Sequence, residues 1–243
     1  MLKKTKERDA KLAAHRNGSR RSFLKYGGAT VAATGLVLAG CDPLEDLFPE
    51  DEREAALSRV VELLRGDTGV LNYALVLEQL EAAFYIEVVD NPYSGISEEE
   101  FIIMRDLRDH EIVHRDFLKA ALGQSAIPTL TFDFSSIDFT SRDSVLNASK
   151  TFEDLGVAAY NGAGRLLKSP DLLLIAGKIV SVEGRHAAAI RSILDEDPQS
   201  FAGDDIIDAN GLDRAFDPET VLKAAAPFII NEINANELIG LLK

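Results

Sequence analysis

Two Glu-x-x-His pairs constrain this chain more than any other feature. The stretch "HEIVHRDF" carries Glu111 and His114, and "SVEGRHAAAI" carries Glu183 and His186, each in a segment with helical apolar spacing. Residues three apart lie on one side of a helix, so each pair presents a carboxylate and an imidazole together. A helix that turns such a pair inward must give it partners, because an unpaired buried charge is strongly destabilising.

Two further segments can supply those partners. "LEQLEAAFY" carries Glu78, Glu81 and Tyr85, and "FEDLGVAAY" carries Glu153 and Tyr160. In both, a Glu precedes a Tyr by seven residues, which is two turns along one helix face. The chain order is therefore Glu···Tyr, Glu-x-x-His, Glu···Tyr, Glu-x-x-His, as if one helix pair were used twice. Two transition-metal ions in a bundle core need carboxylates to bridge them and to neutralise their charge, and each suits an imidazole. Dinuclear carboxylate bundles take one Glu from each of two helices and a Glu-x-x-His from each of the others. On the first helix Glu81 competes with Glu78, and the seven-residue spacing shared with Glu153 favours Glu78. His110 lies about 100° round the helix from Glu111 and is expected at the periphery. Ala82, Gly156 and Gly184 sit beside these acids and are read first as packing residues.

The periodicity organises the rest. With 46% hydrophobic residues, only 7% aromatics and no Trp, the composition favours helix over sheet. After a Pro-bearing acidic tether, "DEREAALSRVVELLRG" reads as a short amphipathic helix ending near Gly66. A helix over about 67–89 is broken by "DNPYSG", and Ser97 with Glu100 forms a capping box for the next, about 97–122. "QSAIPTLTFDFSSIDFTS" has no helical period and reads as a crossover with room for a short hairpin. A third helix spans about 141–168, and a fourth, capped by Ser169 and opened by Pro170, runs to about residue 195. The C-terminal "DPETVLKAAAPFIINEINANELIGLL" reads as one more helix, bent at Pro227. The fold class is all-α: a four-helix bundle over 67–196 with a long crossover between helices two and three. A tether and short helix over 41–66 and an extension over 197–243 flank it.

Residues 1–40 are an address rather than part of the fold. "SRRSFLK" precedes an apolar stretch of about 15 residues, too short for a typical membrane span. Arg20–Arg21 with Phe23, Leu24 and Lys25 resembles a twin-arginine export signal. "LAGC" ends in Cys41, the chain's one Cys, and resembles a lipoprotein box in which Cys41 carries the lipid. No intrachain disulfide can form. Nine of the 26 Lys/Arg but two of the 40 Asp/Glu fall in residues 1–40. The 17 basic and 38 acidic residues left give the remainder a net charge of about −21. That charge argues against nucleic acid as a partner.

The alternating Glu, Tyr and His pattern, over roughly 67–195, resembles the ferritin-like superfamily, most of all its exported, desiccation-related branch. The resemblance implies six ligands, Glu78, Glu111, His114, Glu153, Glu183 and His186, around two iron ions, with manganese as the alternative. It implies that Tyr85 and Tyr160 flank the ligands. The twin-arginine resemblance implies transport of the folded, metal-loaded protein to the periplasm or cell envelope. Two functions follow: a redox-active dinuclear protein reacting with dioxygen or peroxide, as a ferroxidase, peroxidase or catalase would, or a structural, stress-protective envelope protein without turnover. No Cys-rich rubredoxin motif is present, and a lipid-anchored chain need not build a ferritin cage. An oligomer is compatible with the sequence.

Overall fold

The computed structural model describes residues 60–195 and 197–242. Four long helices dominate: α1 (Gly66–Asp90), α2 (Glu98–Leu122), α3 (Arg142–Ala163) and α4 (Pro170–Leu194). Two shorter ones follow, α5 (Pro218–Ala225) and α6 (Asn236–Ile239), and two two-residue strands, β1 (Val61–Glu62) and β2 (Ile233–Asn234), pair in parallel. This all-α bundle matches the expected fold class. The signal segment, Cys41 and the tether lie outside the described residues.

α1 is the central helix. It buries residues all round, including Leu75, Leu77, Leu80, Phe84 and Val88, as expected of a helix with no solvent face. α2 buries a single stripe, Met104, Leu107, Glu111 and Leu118, with half-buried residues such as Ile103 and His114 beside it. The local signals act as the sequence indicates. The Ser97 hydroxyl accepts from Glu100 N while the Glu100 carboxylate accepts from Ser97 N. Ser169 caps α4, with Pro170 in its first turn.

The helix ends define two poles. At the first, Asp67 at the start of α1 accepts from Lys168 N and Ser169 N just before α4, and Asn72 donates to Ser125 O beyond α2. At the second, Arg142 at the start of α3 binds Glu100 near the start of α2 and donates to Ile193 O near the end of α4. α2 thus ends at one pole and α3 starts at the other, so the crossover must run the length of the bundle.

The crossover is extended and contains no hairpin; its one bridge is to the C-terminal segment, Phe132 with Ile229. Two buried amides seven residues apart on α1 hold it. Asn72 Oδ1 accepts from Ile127 N, while Gln79 accepts from Leu130 N and donates to Pro128 O. They satisfy crossover backbone groups that no strand partner reaches. Phe134 and Phe139 then pack edge-on or tilted against Phe84.

Two expected helices differ. Of the helix expected to end near Gly66, residues 60–65 are not helical: Val61 and Glu62 pair with Ile233 and Asn234, and Leu64 has φ +69°. The C-terminal helix bent at Pro227 is instead α5, a 3-10 turn over Ala226–Phe228, the β2 strand and α6. Proline has no N–H to continue the helix, and Ile229–Asn234 finds its hydrogen bonds on Thr131 and β1 instead.

The segment before α5 crosses α3 at Gly162. A Cβ there would fall 1.7 Å from Phe216 O, beside the bond from Phe216 N to Ala158 O. Backbone cannot yield as a side-chain tip can. Gly162→Ala is expected to cost about 3 kcal/mol, read from the urea midpoint.

Candidate metal centre

Each of the four long helices brings its acid to one buried cluster. Glu78 and Glu81 come from α1, Glu111 and His114 from α2, Glu153 from α3, and Glu183 and His186 from α4. Glu78, Glu111, Glu153 and Glu183 are fully buried, Glu81 and His186 nearly so, and the His114 side chain is 12% exposed. The six residues expected as ligands converge.

The geometry is nearly two-fold. His114 Nδ1 lies 2.9 Å from Glu183 Oε1, 3.4 Å from Glu78 Oε2 and 3.8 Å from Glu111 Oε2. His186 Nδ1 lies 2.8 Å from Glu111 Oε1, 3.5 Å from Glu153 Oε2 and 3.7 Å from Glu183 Oε2. None of these approaches has hydrogen-bond geometry: both Nδ1 atoms and all six oxygens are buried without a hydrogen-bond partner. Buried polar atoms rarely go unpaired, and eight such atoms crowded together leave hydrogen-bonding capacity unmet at the centre of the cluster.

Two four-residue groups can each hold a metal ion. Glu78, Glu111, His114 and Glu183 form one, Glu111, Glu153, Glu183 and His186 the other, and the donor atoms within each lie within 4.8 Å of one another. Glu111 and Glu183 belong to both, with one oxygen turned to each imidazole. Glu78 and Glu153 belong to one group each, and their other oxygens are taken by tyrosines. The Tyr85 hydroxyl donates to Glu153 Oε1 at 2.6 Å, and the Tyr160 hydroxyl donates to Glu78 Oε1. The Glu-to-Tyr spacing therefore works across the bundle: each tyrosine binds the Glu of the other helix.

Electrostatics report how crowded the carboxylates are. Burial, then neighbouring Glu183, pushes the Glu78 carboxyl well above its ordinary range, and burial with Glu111 does the same to Glu81. Burial lifts Glu153 to about 7 against the pull of His186. Burial would also raise Glu111, but His114 and His186 hold it down at about 2. Burial would lower His114, yet Glu111, Glu183 and Glu78 push it up to about 12, and His186 rises likewise. In the bare chain the two imidazoles serve as the counter-charges.

Two contacts exceed the sequence reading. Glu81 is a fifth buried carboxyl, outside both groups, with its Oε1 2.9 Å from where a Cβ on Gly156 would sit. Its position one turn from Glu78 was the signal. Gly156 therefore makes room for a carboxylate, whereas Gly184 has nothing within 4 Å of its missing Cβ. His110, though exposed, places Nδ1 2.9 Å from His186 Nε2, with the two rings stacked.

Comparison with known proteins agrees with this architecture. Residues 19–37 match the TAT (twin-arginine translocation) pathway signal sequence, which supports export by that route. No curated protein matches the chain. Residues 66–196, from the first residue of α1 to just past α4, match the ferritin-like domain. With four helices, a full-length crossover and a buried Glu/His cluster over that span, the chain belongs to the ferritin-like family.

Proposed function

We propose that this exported protein holds a dinuclear iron centre, or a manganese one, and uses it in iron oxidation or in reaction with dioxygen or peroxide. The eight orphaned donor atoms carry the reading. A hydrogen-bonded carboxylate network would leave none of them bare, and two divalent cations would satisfy them all. Two divalent cations would also balance the four carboxylates Glu78, Glu111, Glu153 and Glu183 with neutral imidazoles. In this reading Glu111 and Glu183 would serve both positions, and Glu78 with His114 and Glu153 with His186 would serve one each. Bound ions would supply redox chemistry toward a small oxidant.

The remaining residues orient these ligands. With Nδ1 facing the cluster, the proton of neutral His186 sits on Nε2 and is donated to His110 Nδ1. Tyr85 fixes Glu153 with Oε2 inward. Tyr85→Phe removes that donor and is expected to weaken metal retention about 10-fold to 100-fold in chelator competition, with the helical signal unchanged.

Cys41 is proposed as the lipidated residue of an envelope lipoprotein, and the membrane and a small oxidant as the protein's partners. The deciding experiment is metal analysis of protein recovered from the envelope, followed by turnover with iron, dioxygen and peroxide. About two iron or manganese ions per chain are expected. Protein free of both metals, with a Glu153→Ala/His186→Ala double variant equally stable, overturns the reading. Bound metal without turnover overturns the oxidant chemistry and favours the stress-protective role.

A further inference from the structure

The chain's charge is unevenly distributed between the two poles of the bundle. Around the second pole lie the exposed carboxylates Glu98, Glu99, Asp143, Asp195, Asp197 and Asp204, with Arg142 and Arg191 both engaged in ion pairs. Among the described residues the first pole, where Val60 lies, is close to balanced; the acidic tether before it lies outside them. Arg65, Arg165, Lys168 and Lys178 are exposed there. The nearby acids are mostly occupied: Asp67 accepts backbone amides, Asp116 pairs with Arg115, and Glu62 accepts from Asn234. Asp171 lies in the first turn of α4, where the helix dipole favours it, and Glu232 beside β1 remains.

The same pole exposes apolar side chains. Leu174 is 61% exposed, Leu173 48%, Val60 43% and Leu64 42%. Leu64 is also the only described non-glycine residue with positive φ, at +69°. A Leu is strained there, at a cost of about 1 kcal/mol, and nothing in the bundle recovers it by burying the side chain. Leu173 and Leu174 stand early in α4, with Lys168 just before the helix and Lys178 one turn after Leu174.

We infer that this pole is a docking surface for an anionic phospholipid membrane, with Leu64, Leu173 and Leu174 entering the interface and Arg65, Arg165, Lys168 and Lys178 meeting the headgroups. Apolar residues ringed by Lys and Arg are the chemistry of interfacial binding, and each basic group near an anionic surface adds about 1 kcal/mol. A net charge of about −21 would repel that surface at close range. α1 spans about 37 Å, several times the Debye length of about 8 Å, so the acidic pole is screened from the membrane when it points away. None of the described helices is long and apolar enough to cross a membrane, so contact would be interfacial. The orientation uses the anchoring proposed at Cys41, 19 residues before Val60, and is independent of the metal centre.

The chain lacks Trp, which makes the test direct. Leu174→Trp and, at the other pole, Phe201→Trp are made singly in the lipidated full chain. Each is reconstituted into phosphatidylethanolamine–phosphatidylglycerol vesicles with brominated acyl chains. The Leu174→Trp protein is expected to be quenched at least about twofold more than the Phe201→Trp protein, with the difference reduced in phosphatidylcholine vesicles or by adding Lys168→Glu and Lys178→Glu. Flotation with equal or absent quenching would keep the anchor and overturn the docking. Failure to float would overturn both. A Leu174→Trp emission that shifts with protein concentration in vesicle-free solution, without bromolipid quenching, would assign the face to a second copy and overturn the inference.

Discussion

A Glu111→Ala or Glu183→Ala chain is expected to purify with less than about a tenth of the native metal, whereas Glu78→Ala or Glu153→Ala retains about one ion. The difference follows from which oxygens are spoken for. Both oxygens of Glu111 and both of Glu183 are buried without a hydrogen-bond partner. Each of these carboxylates turns one oxygen to His114 and the other to His186. Removing either takes a donor and a negative charge from both positions at once. Glu78 and Glu153 each give one oxygen to a tyrosine and one to a single position. Their loss leaves three residues in one group and all four in the other. Glu111→Gln keeps shape and volume while removing the charge, so its metal content separates ligation from misfolding. Stoichiometry by elemental analysis is the measurement. Equal loss from all four alanine variants would sink the assignment of Glu111 and Glu183 to both positions.

Much of this centre is legible in the sequence because its parts are local. A Glu-x-x-His on an apolar helical stretch defines which face turns inward, and two such helices with two that carry Glu and Tyr leave their acids a common interior. The tyrosines were legible as neighbours of the acids, but their partners were not, since Tyr85 reaches α3 and Tyr160 reaches α1. Those contacts depend on helix register. The same holds for His110, which meets His186 because α2 and α4 run antiparallel with Glu111 opposite His186. The elements that differ from expectation depend on contacts far apart in the chain. Val61–Glu62 satisfies an amphipathic helical pattern, yet pairs with Ile233–Asn234, and nothing within "SRVVELLRG" encodes that partner. Asn72 and Gln79 are buried amides on a helix rich in apolar residues. Only the path of the crossover shows that they are its backbone partners.

Removing metal is expected to make stability fall as pH rises, whereas the loaded protein gains on the chelated one. In the metal-free chain burial lifts Glu153 to about 7 from an ordinary 4.5. Between those values the native state holds a proton that the unfolded chain has released, so each pH increment favours unfolding. For Glu153 alone this amounts to about 3 kcal/mol between the two pKa values. Glu78 and Glu81, raised by burial and by their carboxylate neighbours, act in the same direction. His114, held up at about 12 by Glu111, Glu183 and Glu78, is charged in the native state well above its ordinary 6.5. Its contribution is complete below that value and is lost as pH climbs towards 12; His186 behaves alike. Glu111 opposes this, because its pKa of about 2 stabilises the native state above 4.5 and is lost only in acid, and so does His110, which burial and His186 hold below its ordinary value. Metal reverses the dependence, since ions bind deprotonated carboxylates and neutral imidazoles more tightly as pH rises and stabilise the native state by mass action. The gap in Tm between loaded and chelated protein should therefore widen by about 10 °C from about pH 5 to about pH 8, read by calorimetry with and without chelator. A gap that stays flat or narrows over that window would mean that these buried groups do not exchange protons for metal.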